Sequence, residues 1–183
     1  MTPNIYAEVP INPKDASRRG IDPSVCKLIV KFNETEKQGF IALAEIIYKS
    51  CPADNHIFMT SVSEFVPLDK AVKNISEKSP KLLGTNIVEV DNIDEISGLL
   101  ASWKAEALVV FFASESVANG IVSNLTSLEP HWWMLSKTNY ELPFLKQLAS
   151  CDPFIFFSQS HMSLEILGSQ NQIERLRILA NTF

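Results

Sequence analysis

Leu108-Val109-Val110-Phe111-Phe112-Ala113 is the stretch on which the fold turns: six consecutive apolar residues, β-branched and aromatic, with no charge to mark a solvent face. Side chains alternate between the two faces of a strand, so a strand without polar alternation is buried on both. This is the pattern of a central strand in a sheet covered by helices on each side.

Helix-like runs flank it. Ile93, Ile96, Leu99, Leu100 and Trp103 recur at helical spacing before it, and Val117, Ile121, Leu125 and Leu128 form a stripe after it that ends before Pro130. The same alternation extends outward. Lys27–Phe32 reads as a first strand, followed by a helix with Phe40, Leu43, Ala44, Ile47 and Cys51 on one face. His56–Thr60 reads as a second strand, followed by Leu68, Ala71, Val72 and Ile75 at helical spacing before Pro80. Asn86–Val90 is a third strand, Leu108–Ala113 the fourth, and His131–Leu135 a fifth, followed by a helix with Leu142, Leu145, Leu148 and Ala149. Phe154–Phe157 and Ser163–Leu167 are too close for a parallel crossover and predict a hairpin. A last helix places Ile173, Leu176, Ala180 and Phe183 on one face. Five β-α units of this kind predict an α/β fold: a mostly parallel, doubly wound, three-layer sheet with a C-terminal antiparallel hairpin strand and a terminal helix.

Pro3, Pro10, Pro13 and Pro23 set residues 1–24 apart as an extended N-terminal arm, leaving residues 25–183 as a single α/β domain. Ile5, Tyr6, Val9 and Ile11 make the arm apolar enough to lie along the domain or against a partner. Hydrophobic residues at 46% and charged residues at 20% match an ordinary globular protein. A net charge of −5 disfavours general nucleic-acid or anionic-membrane binding, which relies on attraction to phosphates. Cys26, Cys51 and Cys151 are odd in number and widely spaced, forming neither a disulfide framework nor a CxxC site. With no secretory signal at Met1–Asn4 and no apolar run long enough to span a bilayer, the expectation is a soluble cytoplasmic protein.

In an open parallel sheet, ligands bind outside the carboxyl ends of the strands. That rule selects Asn33 and Glu34, Ser61, Ser63 and Glu64, Asp91, Ser114, Glu115 and Ser116, Ser136 and Lys137, and Ser158, Gln159 and His161. An enzyme built here would use Asp91, Ser114, Glu115, Lys137 and His161, with Ser114 and His161 as nucleophile and base and Glu115 or Asp91 orienting the imidazole. His56 and His131 open their strands and fall at the other edge. The same polar positions are where helices need N-caps. Asn33 with Glu36, Thr138 with Glu141 and Ser169 with Gln172 have capping-box spacing. No GxSxG elbow, glycine-rich phosphate loop or paired His/Cys metal spacing occurs, so neither a cofactor nor a metal is expected.

Asp91, Ser114 and Lys137, after the third, fourth and fifth strands, resemble the phospho-acceptor, switch and lysine positions of response-regulator receiver domains, over about residues 27–149. Asn33-Glu34 stands where receivers carry an acidic Mg²⁺-binding pair, and Thr138 rather than proline follows the lysine, so the resemblance is one of architecture.

The functional expectation is a non-enzymatic protein-interaction or regulatory module. Its protein partner, another copy or another chain, would meet Tyr6 of the arm, Trp132 or Trp133 of the aromatic strand, or Leu176 and Phe183 of the last helix. The alternative is a small-molecule enzyme or a nucleotide-binding, receiver-like domain using the strand-end residues.

Overall fold

The structure, a computed structural model, describes residues 3–14, 16, 22, 24–32, 37–61, 81–83, 87–102, 108–128, 151–158 and 161–183. The strands are β1 (Asn4–Glu8), β2 (Cys26–Lys31), β3 (His56–Ser61), β4 (Lys81–Leu83), β5 (Ile87–Val90), β6 (Leu108–Ala113), β7 (Phe154–Ser158) and β8 (Ser163–Gly168). The helices are α1 (Lys37–Ser50), α2 (Ile93–Ser102), α3 (Glu115–Leu128) and α4 (Gln170–Ala180). The expected fifth strand, with Trp132 and Trp133, and the helices around Leu68–Ile75 and Leu142–Ala149 lie outside the described residues.

The eight described strands form one sheet in the order β1-β2-β8-β7-β6-β3-β5-β4. Every neighbouring pair is antiparallel. This overturns the expected mostly parallel, doubly wound sheet. The physical reason lies in what a helical crossover fixes. It makes the two strands it joins co-directional, without making them neighbours. The β2-α1-β3 unit spans β8, β7 and β6, and the β5-α2-β6 unit spans β3. Each crossover therefore leaves room for oppositely directed strands between its ends, and the β7–β8 hairpin fills part of one such gap. Hydrophobic periodicity reports which residues are buried, not which strand lies alongside.

Burial on both faces of β6 holds as its sequence predicts: all six of its residues are buried. On one face Leu108, Val110 and Phe112 join Leu28, Val30, Ile57, Met59, Ile155, Phe157 and Ile166 beneath α1, α2 and α4. On the other, Val109, Phe111 and Ala113 join Phe58, Phe154 and Leu167 beneath Ala118 and Ile121 of α3, with Ile11 and Ala16 of the N-terminal segment. Phe58 and Phe111 stack at 5.2 Å between ring centroids. Each such fully buried side chain contributes about 1.5–3 kcal/mol of transfer free energy. Among the described residues no helix is long and apolar enough to cross a membrane.

Candidate functional site

Reversing every second strand divides the expected site between two edges of the sheet. β5, β6 and β8 end where β3 begins, because Ile57 faces Val90 and His56 faces Ala113 across their ladders. His56, placed at the wrong edge on a parallel reading, therefore shares an edge with Asp91, Ser114 and Glu115. His161, in the turn between β7 and β8, stands at the opposite edge, a strand length or about 20 Å from Ser114. The expected Ser114–His161 pairing is thus not formed. Asp91 and Ser114 are two strand spacings apart, about 10 Å, with β3 between. Lys137 lies outside the described residues, and the receiver-like arrangement loses the parallel sheet on which it rested.

The local contacts of these residues are those of helix starts. Ser114 accepts the Ala118 N–H at its carbonyl, and its hydroxyl lies 3.2 Å from that of Ser116. The Glu95 N–H donates to Asn92 Oδ1 at 2.9 Å, which caps the start of α2, while Glu95 Oε2 accepts the Asp91 N–H one residue earlier at 2.9 Å. Glu115 is exposed in the first turn of α3, where a carboxylate complements the helix dipole. Ser169 departs from its expected box: its side chain makes no cap hydrogen bond, and its N–H donates instead to Asp152 Oδ1 at 2.8 Å.

At the His56 edge, the end of α1, the start of β3 and the end of β5 enclose an open depression of about 290 Å³. Tyr48, Cys51, Asn55, His56, Val90 and Asp91 are among its walls. His56 Nδ1 lies 2.7 Å from Glu89 Oε1. A carboxylate only accepts, so Nδ1 carries the shared proton and Nε2 is the ring's second polar atom. Glu89 stands directly opposite Phe58, whose ring lies 6.4 Å from that of His56. Burial pushes the Cys51 thiol up to about 11 against the opposing charge of Arg175, so at neutral pH it is protonated, and it donates to the Asn55 carbonyl at 3.2 Å. A thiol in that state is a poor nucleophile. Arg175 Nη2 donates to the Ser50 carbonyl at 3.0 Å, and the Ser50 hydroxyl donates to the Ile46 carbonyl at 2.6 Å. These two bonds fix the last turn of α1 at the rim. Among the described residues no three His, Cys, Asp or Glu side chains group to hold a metal ion.

Of the expected partner contacts, Tyr6 is 56% exposed on β1, and its hydroxyl donates to Glu8 Oε1 at 3.0 Å. Phe183 is half-buried, with Lys49 Nζ 5.1 Å from its ring centroid. Leu176 is fully enclosed in the core, and Trp132 and Trp133 lie outside the described residues. The His56–Glu89 pair escapes a reading by strand ends, although it leaves one signal: Glu89 is a charge inside the apolar strand Ile87-Val88-Glu89-Val90, and such a charge needs a partner on a neighbouring strand.

Comparison of the chain with protein-family models, with curated proteins and with solved structures finds no match.

Proposed function

We propose that the protein is a non-enzymatic interaction module that takes an extended segment of a protein partner alongside β1. The observation that carries this reading is the position of Tyr6: it projects, 56% exposed, from the outermost of the described strands. A strand with a neighbour on one side only presents main-chain donors and acceptors that an added strand can satisfy, with side-chain contacts supplying selectivity.

The surroundings of Tyr6 support the mode and bound its extent. Tyr6 stands opposite Ile29, which stands opposite Glu165, so an aromatic, an aliphatic and an acidic side chain form a row running inward from the edge. Ile5 and Ala7 turn the other way and pack on the core. Beyond Glu8 the chain passes through Val9 and Pro10, and Glu8 is held to Lys27 at 3.0 Å, which limits the edge to Asn4–Glu8, within which Asn4 is already engaged. Five residues offer a small interface, with affinity in the weak, transient class.

The test is selection from a displayed library of random peptides on the intact protein, with Tyr6→Asp as counter-target and amide hydrogen exchange verifying its fold. Enriched peptides should alternate apolar and polar residues, bind the parent protein at least tenfold better than the variant, and protect residues 4–8 from exchange. Absence of enrichment, or binding indifferent to Tyr6, overturns the reading.

A further inference from the structure

We infer that the depression between the end of α1 and the start of β3 is a binding site for a small organic ammonium ion. It is independent of the β1 edge and lies at the other end of the sheet order, where β3 and β5 meet.

Three features of the cavity select that ligand class. Tyr48, 43% exposed, is among the lining residues, and the negative face of an aromatic ring attracts a cation. Asp91, at the end of β5 beside the start of β3, brings a carboxylate to the same set of walls, and its main-chain N–H is bonded to Glu95 Oε2. No lysine or arginine is among the lining residues described, and the Cys51 thiol is protonated there and contributes no charge of its own. An anion placed in the cavity would meet the Asp91 carboxylate, with no lysine or arginine among the described walls to offset it. A volume of about 290 Å³ admits a ligand of metabolite size, at the lower limit of ordinary small-molecule pockets.

Asn55 and His56 add polarity to the same walls. Glu89 holds the imidazole through Nδ1, on the face of the sheet that carries Phe58, the reverse of the face that carries Ile57 and α1. Arg175, whose charge acts on Cys51, donates to the Ser50 carbonyl.

The experiment is a titration of the ¹⁵N-labelled full chain with 1,4-diaminobutane at constant ionic strength, with sodium acetate and sodium chloride as parallel arms. The diamine should give saturable shifts confined to residues 48–57 and 90–91, with a dissociation constant in the millimolar range or tighter. Asp91→Asn should weaken binding at least tenfold, and Tyr48→Leu, which keeps an apolar wall but removes the ring, should weaken it several-fold. Tyr6→Asp should leave it unchanged, separating this site from the β1 edge. Shifts spread over all surface carboxylates, shifts equalled by sodium chloride or acetate, or no saturation at tens of millimolar overturn the assignment. So does an Asp91→Asn protein that remains folded and binds as tightly as the parent.

Discussion

His56 reaches Glu89 across the β3–β5 pair on a diagonal, two residues from the directly opposed Phe58–Glu89 pair, with Nδ1 2.7 Å from Oε1. The bond crosses a ladder at the sheet end, where His56 retains half of its side-chain exposure while Glu89 keeps only 12%. Its contribution to stability is therefore that of a half-solvated pair. His56→Ala should cost less than about 1 kcal/mol in urea unfolding, whereas Phe58→Ala, two residues further in, should cost about 3–5 kcal/mol. Equal losses for the two would show that His56 is part of the core.

Gly168 is a position of enforced smallness. A Cβ there would stand 2.6 Å from Asp152 Oδ1 and 3.1 Å from the Pro153 side chain, in a segment whose Asp152 carboxylate holds the Ser169 N–H. Gly168→Ala should destabilise by about 1–3 kcal/mol, partly through loss of that hydrogen bond. Gly120, in α3, has nothing within 4 Å of the same virtual atom, and Gly120→Ala should stabilise by about 0.5–1 kcal/mol. Thermal unfolding of the two variants should move in opposite directions.

The hydrogen bond from Lys27 holds the Glu8 carboxyl below its ordinary value of 4.5, helped by Tyr6 and by the Asn12 N–H. A carboxyl lowered in the folded state stabilises above its unfolded value, and that stabilisation is lost as pH falls through the folded value. Glu8→Gln should thus melt lower than the parent at neutral pH, and the two curves should converge on acidification below 4.5. A gap that persists undiminished in acid would assign the effect to packing of β1 rather than to its charge.

Cys51, half-buried and pushed up to about 11, should react with iodoacetamide at pH 8 about a hundredfold more slowly than free cysteine, because its thiolate fraction is that much smaller. Site-resolved mass spectrometry measures this directly. Labelling of Cys51 at the rate of an exposed thiol would show that the end of α1 opens on the timescale of the reaction.

The elements were more legible in the sequence than their arrangement. The Leu108–Ala113 strand declared its burial on both faces because six apolar residues leave no solvent side. The helical stripes likewise located Leu43, Ile47, Ile96, Leu99 and Ile173 in the core. Strand direction has no such signature: nothing in the spacing of Ile57 and Met59 says that β6 and β5 flank them in reverse. That one ambiguity moved His56 to the edge shared with Asp91 and put His161 at the other. Lys81–Leu83 was missed because three residues after Pro80 give no alternation to read. Asn4–Glu8 gave no strand signal between Pro3 and Pro10, although prolines at its ends suit the edge strand that it forms.

The pairing of β2 with β8 sets a timetable. Cys26 stands opposite Gly168 and Lys31 opposite Ser163, so β2 acquires its inner neighbour only when β8 has followed it from the ribosome. Until then β1 and β2 can form no more than a two-stranded ribbon, which is marginal in water. The apolar row Cys26, Leu28 and Val30 is left waiting for Leu164 and Ile166. Such distant partners make for slow folding and a long exposure of sticky intermediates. A nascent chain stalled before Ser163 should therefore be a client for chaperones, and the completed one should not.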